Sequence, residues 1–185
     1  MRIRRLLSLA AGLVLAGSGT AGAQGAGKTG VTMGYPASIG IVWHATNKVA
    51  IRPDLSLSGG SAEISGSSFE NDTDALSLGT GVSVLFYLRT YEHLKTYFSP
   101  RFTYSRTRTT STSSGFTTAS STATSTSTGG AGSFGAQYAL GDKFSVFGEV
   151  GFGVSHQKGT TSTSSNKATG NSWGTRTGVG VIFYP

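Results

Sequence analysis

Residues 75–89 read ALSLGTGVSVLFYLR. Leu76, Leu78, Thr80, Val82, Val84, Phe86 and Leu88 share one parity; Ser77, Gly79, Gly81, Ser83, Leu85, Tyr87 and Arg89 share the other. Side chains of a β-strand point alternately to opposite faces, so this is a ribbon with one oily flank and one mostly small or polar flank. Helical spacing fails throughout: after residue 23 no apolar pattern holds a 3.6-residue period over three turns, and no apolar run is long enough to cross a bilayer as a helix.

Working outward, six further segments split the same way. Ile39, Ile41 and Trp43 share a face. After a turn at Thr46, Asn47 and Lys48, so do Val49, Ile51, Pro53, Leu55 and Leu57, with Arg52, Asp54 and Ser56 opposite. Phe98, Pro100, Phe102 and Tyr104 oppose Tyr97, Ser99, Arg101 and Thr103; Phe134, Ala136, Tyr138 and Leu140 oppose Ser133, Gly135 and Gln137. Phe144, Val146, Val150, Phe152 and Val154 oppose Ser145, Phe147, Glu149, Gly151 and Gly153, and the closing RTGVGVIFYP sets Val179, Val181 and Phe183, with Trp173 before them, against Arg176, Gly178, Gly180 and Ile182.

The connections are of two kinds. Short turns are expected at 45–48, 90–95 and 141–142, and they alternate with long Ser/Thr-rich stretches at 65–74, 110–130 and 156–172. Short turns on one side and long loops on the other describe an up-and-down barrel set in an outer membrane. Thr favours strands, so the long stretches are expected to form tall polar extracellular hairpins; disordered loops are the alternative. Such barrels have an even strand number, which asks for an eighth strand before Ser38. Residues 27–35, with a tight turn at Pro36 and Ala37, are the candidate.

Alternation alone also suits a secreted soluble β-sandwich or adhesin, whose oily face covers a core. Two features favour lipid. Lys and Glu are almost missing from the non-oily face, which suits the tight inside of a small barrel. Aromatic residues also sit near strand ends (Trp43, Tyr97, Phe98, Tyr104, Tyr138, Phe144, Trp173, Phe183 and Tyr184), as an interfacial girdle requires. Arg52, Asp54, Arg101, Glu149 and Arg176 all fall on the small-residue face. Sliding a strand by one residue would aim its charge at lipid, at about 2–4 kcal/mol for an Arg at the midplane. Buried charges need partners, so a lumenal network of these five is expected, with Gln137 and His44 adding hydrogen bonds. Charges lining a small wet channel are the plainer alternative.

Residues 1–23 carry Arg2, Arg4 and Arg5, an apolar run of about 12 residues and a small-residue site before Gln24, the pattern of a secretory signal peptide. The mature barrel domain is then expected to span 24–185. Removing those three arginines takes the 15 Lys+Arg to 12 against 8 Asp+Glu, and the formal charge from +7 to +4. The basic character belongs partly to the leader, and no Lys/Arg cluster with stacking aromatics speaks for nucleic acid. Cysteine is absent, so disulfides contribute nothing.

The ending resembles the C-terminal signal of outer-membrane β-barrel proteins, with Gly178, Val181 and Phe183 at the matching positions and Tyr184 and Pro185 departing from the usual terminal Phe. The mature chain as a whole resembles the small eight-stranded OmpA-like and OmpX-like barrels. That resemblance implies an outer-membrane location in a Gram-negative-type bacterium and insertion by the barrel assembly machinery after periplasmic chaperoning. Arg106, Arg108, Lys158 and Lys167 fall where strands should leave the outer leaflet, able to pair with lipopolysaccharide phosphates or to stand as solvated rim charges.

Catalysis and metal chemistry find little support. His44, His93 and His156 lie in a strand end, a short turn and a distant loop, which is no zinc set. His156 beside Ser155 or Ser162 imitates the site of lipid-modifying barrels only superficially, because serine is abundant here. No cofactor is implied. The expectation is a non-enzymatic outer-membrane barrel, plugged by side chains, with a structural or surface-interaction role; the alternative is a passive transporter of small or hydrophobic molecules. A lateral opening between strands would favour the transporter. Oligomeric state is left open.

Overall fold

The computed structural model describes residues 26–36, 38–66, 69–114, 118–162 and 164–185. The leader assigned to 1–23 lies outside them. Eight antiparallel strands close into one barrel in chain order. They are β1 (Thr29–Tyr35), β2 (Ser38–His44), β3 (Val49–Gly66), β4 (Phe69–Tyr91), β5 (Leu94–Ser114), β6 (Ala119–Ala139), β7 (Phe144–Thr161) and β8 (Ser164–Phe183). β1 closes the ring on β8, from Val31 opposite Phe183 to Tyr35 opposite Val179. The strand that parity demands before Ser38 is therefore β1.

The apolar flanks point out of the ring. Leu57, Leu78, Phe102, Phe134, Phe152 and Val179 are all exposed, and Trp173 reaches 78%. A soluble sandwich would stack these flanks against a second layer; here no second layer exists among the described residues, which excludes that alternative. A closed ring also leaves no full-length sheet edge to hydrocarbon, the condition for β-structure to span a bilayer. The small face packs inward. Tyr97 lies against Gly135 of the next strand and Arg101 against Gly81; a Cβ on those glycines would meet the ring at 2.5 Å and the guanidinium at 2.6 Å. Large and small residues alternate because the lumen has room for one of each pair.

At one end the turns are tight. The expected turn at 90–95 shrinks to Glu92 and His93, because Thr90 pairs with Lys95 and Tyr91 with Leu94. Glu92 takes a positive φ of 36° to reverse the chain. At the other end the Ser/Thr stretches are laddered almost to their tips, with Gly66 opposite Phe69 and Ser113 opposite Ala119. Their hydroxyls bond across strands, as in Thr73 with Ser111 at 3.3 Å.

The wall is not equally tall all round. β1 and β2 have 7 residues each, whereas β4 has 23 and β8 has 20. Pairing of β2 with β3 stops at Ile39 opposite Leu55 and pairing of β1 with β8 at Tyr35 opposite Val179. Beyond those points β3 and β8 each have, among the described residues, a paired neighbour on one side only. A notch opens between them, with the β1–β2 hairpin as its lower lip.

Candidate functional site

The lumen is built from the small-residue face. Arg52 on β3 donates from Nη2 to Glu149 Oε1 on β7 at 2.6 Å, and Arg101 on β5 donates from Nη2 to Asp54 Oδ1 on β3 at 2.5 Å. Tyr97 OH donates to the same Glu149 oxygen at 2.8 Å. The Arg52 guanidinium also lies over the Phe147 ring, 4.8 Å from its centroid. These groups sit on three different strands, so the contacts brace the barrel across its interior.

Nearer the tight-turn end lies a second layer of side chains. Tyr87 OH donates to Gln137 Oε1 at 2.9 Å, Gln137 Nε2 donates to Tyr184 OH at 3.2 Å, and Tyr184 OH shares a hydrogen bond with His44 Nε2 at 3.0 Å. His44 stacks on Tyr87, whose ring meets Tyr97 edge-on, so aromatic contact joins the two layers. Val42, Ala50, Leu85 and Ile182 fill the space around them.

Several sequence-level expectations change here. Tyr97 and Tyr184 are lumenal, at 1% and 4% exposure, and not members of the interfacial girdle. The reason is parity: Tyr97 shares a face with Ser99 and Arg101, and Tyr184 with Ile182. Gln137 and His44 bond to tyrosines and not to the ion pairs. The five charges form two separate pairs, and Arg176 makes no ion pair or hydrogen bond among the described residues. It borders open space instead. A cavity of about 630 Å³ above the ion pairs is lined by Arg52, Asp54, Arg101, Glu149 and Arg176 together with residues of the notch.

The other candidates fall outside the lumen. Arg106 and Arg108 share the outward parity of Phe102 and Tyr104 and lie just beyond them, exposed. Lys158 and Lys167 are likewise exposed, on β7 and β8 beyond Val154 and Trp173. Register draws them into rows, Arg106 opposite Thr126 and Thr126 opposite Lys158, then Thr160 opposite Lys167. Gly178 faces inward beside Tyr35, while Val181 and Phe183 face out on the last turn of wall, Phe183 against Phe144.

His156 Nδ1 is 2.7 Å from Asn171 Oδ1, and Ser155 bonds to Ser172, so the imagined His–Ser pair is not formed. His93 packs against the Tyr138 ring, far along the chain from the other two histidines. One feature escaped the sequence. Glu63, Glu70 and Asp72 bring carboxylate oxygens within 4.8 Å of one another at the exposed top of β3–β4. Only the pairing of Glu63 with Asp72 and Ser65 with Glu70 brings them together, and no motif announces it.

No protein-family model matches the sequence and no curated protein is similar enough to count as a relative. Among solved structures, the barrel is similar to Acinetobacter baumannii CarO, at 13% identity and a TM-score of 0.47, over 86% of this chain and 98% of that one. It is also similar to a major outer membrane protein from Thermus thermophilus, at 12% identity and a TM-score of 0.48, over 84% and 98%. A third is Ail, the attachment invasion locus protein of Yersinia pestis, at 14% identity and a TM-score of 0.37, over 85% and 98%.

Proposed function

We propose that this chain is a non-enzymatic outer-membrane barrel with a structural or surface-interaction role, its lumen plugged by side chains and its Ser/Thr hairpins presented outside the cell. The observation that carries this reading is the two-layer closure of the lumen. Arg52, Glu149 and Tyr97 form one layer, and Tyr87, Gln137, Tyr184 and His44 the other. These interlocked side chains support a plugged axis, the reading that the conductance experiment below tests. Gly178, Val181 and Phe183 serve as the assembly signal in this reading, read by the barrel assembly machinery after chaperoned transit. Outer-membrane lipid and lipopolysaccharide are its surroundings.

The test is conductance of purified protein in planar bilayers. A plugged lumen gives no steady current, while the double variant Tyr87→Ala/Tyr97→Ala, which removes one ring from each layer, conducts. Steady current through the unaltered protein sinks the plug.

A second reading, passive passage of small or hydrophobic molecules, is favoured by the notch between β3 and β8. A plugged axis directs such traffic sideways through the wall.

A further inference from the structure

We infer that the cavity beneath the notch is a binding site for an anionic amphiphile of the outer leaflet, whose charged head lies on Arg176 and whose acyl chain leaves sideways between β3 and β8. The inference rests on the barrel being embedded in a membrane and goes beyond its plugged axis.

The opening lies at acyl-chain depth. On β8 the outward side carries Phe183, Val181 and Val179, then Thr177 and Thr175, and reaches Trp173, yet β1 accompanies it only to Val179. The six residue steps from Val179 to Trp173 rise about 20 Å along the strand, or roughly 15 Å of height at a tilt near 40°, more than half of a belt about 25 Å tall. On β3, Leu57 is still 66% exposed on the outside, above the last β2 pairing at Leu55. The lower lip is thus near the bilayer middle, and the missing wall faces the outer leaflet.

Unpaired strand edges facing hydrocarbon cost several kcal/mol for each orphaned backbone group, and are tolerated where they line a polar cavity. This notch has such a lining. Ser56 and Ser58 border it on β3, Thr175 and Thr177 on β8. Arg176 and Arg101 point to the lumen, whereas Thr175, Thr177 and Val179 have the outward parity, and all five line the same cavity. One continuous space therefore passes through the wall.

Its charge selects the occupant. Arg52, Arg101 and Arg176 stand against Asp54 and Glu149, leaving one positive charge uncompensated. Arg176 makes no ion pair or hydrogen bond among the described residues, and Arg52 Nη1 and Arg101 Nε are buried donors without acceptors. Asp54 Oδ2 is a buried acceptor without a donor, suited to a hydroxyl or water on the same head group. The set matches a head with a single negative charge. The volume, about 630 Å³, lies within the range of small-molecule sites, roughly 300–1,000 Å³. With the axis plugged below, as proposed above, the site is a blind pocket that holds its ligand.

The test uses the folded mature protein in neutral alkyl-maltoside micelles, with folding verified by heat-dependent gel mobility, titrated with a pyrene-labelled fatty acid and with its methyl ester. The acid is expected to bind at least tenfold more tightly than the ester. Arg176→Gln should abolish that preference, Arg176→Lys should retain most of it, and Ser58→Trp, which places a ring in the mouth, should weaken both probes. Equal binding of acid and ester, or an unchanged preference in Arg176→Gln, overturns the inference. So does a dimer that protects the β3 and β8 edges from amide exchange, because a second copy would then cover the notch. Loss of the mobility shift in the unaltered protein would instead undo the membrane reading itself.

Discussion

Arg52 and Glu149, 97 residues apart in the chain, meet at 2.6 Å inside the barrel with both side chains 4% exposed. Breaking a buried pair by removing one partner leaves the other charge stranded, at about 3–5 kcal/mol, whereas removing both is far milder. Glu149→Ala is therefore expected to lower the temperature of the gel-mobility transition more than Arg52→Ala/Glu149→Ala does. Tyr97 loses its acceptor in both variants, which makes the comparison a measure of the stranded arginine. Equal damage in the two would show that the pair is not coupled.

Gly135 and Gly174 both lie on strands with inward parity, but only one is crowded. A Cβ at 135 meets the Tyr97 ring at 2.5 Å, while a Cβ at 174 meets nothing within 4 Å. Tyr97 is held by its bond to Glu149, so it cannot swing aside cheaply. Gly135→Ala should cost about 1–3 kcal/mol through overpacking, and Gly174→Ala should be neutral or slightly stabilising because strand glycine is entropically unfavourable. Urea titration of the two variants in detergent, followed by tryptophan fluorescence, separates these outcomes.

The same parity explains what the sequence made legible. Residues 75–89 announce β4 because lipid on one side and a crowded lumen on the other impose opposite demands on alternate residues. The faces of Arg52, Asp54, Arg101, Glu149 and Arg176 follow from that rule alone. β1 is legible only through strand-number parity, since its 7 residues are more than half Gly and Thr. Tyr97 and Tyr184 mislead because an aromatic near a strand end looks like girdle until its parity is counted. Partner choice is not local either. That Arg101 takes Asp54 while Arg176 takes none depends on the stagger of strands around the ring, and so does the notch, which exists because pairing stops at Leu55 and Val179.

Val150 is 59% exposed at mid-belt on β7, with Phe134 of β6 opposite it on the outer face. Val150→Arg is expected to destabilise the barrel in phosphatidylcholine bilayers by about 2–4 kcal/mol, and Thr160→Arg, farther along the same face, by about 0–1 kcal/mol. Reversible folding into vesicles at several denaturant concentrations reads both. Similar costs at the two positions would mean that lipid does not cover this flank.

Arg106, Arg108, Lys158 and Lys167 stand on the outer face just above that belt, with Arg106 and Lys158 on one hydrogen-bonded row two strands apart. Two strand spacings are about 10 Å. That distance lets phosphates of one lipid or of neighbouring lipids meet both side chains, and an arginine offers them a bidentate contact. A single exposed charge pair is worth little, typically below about 1 kcal/mol, so only the group of four should have a visible effect. The quadruple Gln variant is expected to fold normally in phosphatidylcholine, to lose the added stability that lipopolysaccharide gives the unaltered barrel, and to leave cells more sensitive to detergents and hydrophobic antibiotics. Raising the salt concentration should shrink the difference between the two proteins, since headgroup contacts at the surface are screened over about 10 Å at 0.1 M. An unchanged response to lipopolysaccharide, together with unchanged sensitivity of the cells, would leave these four as ordinary solvated rim charges.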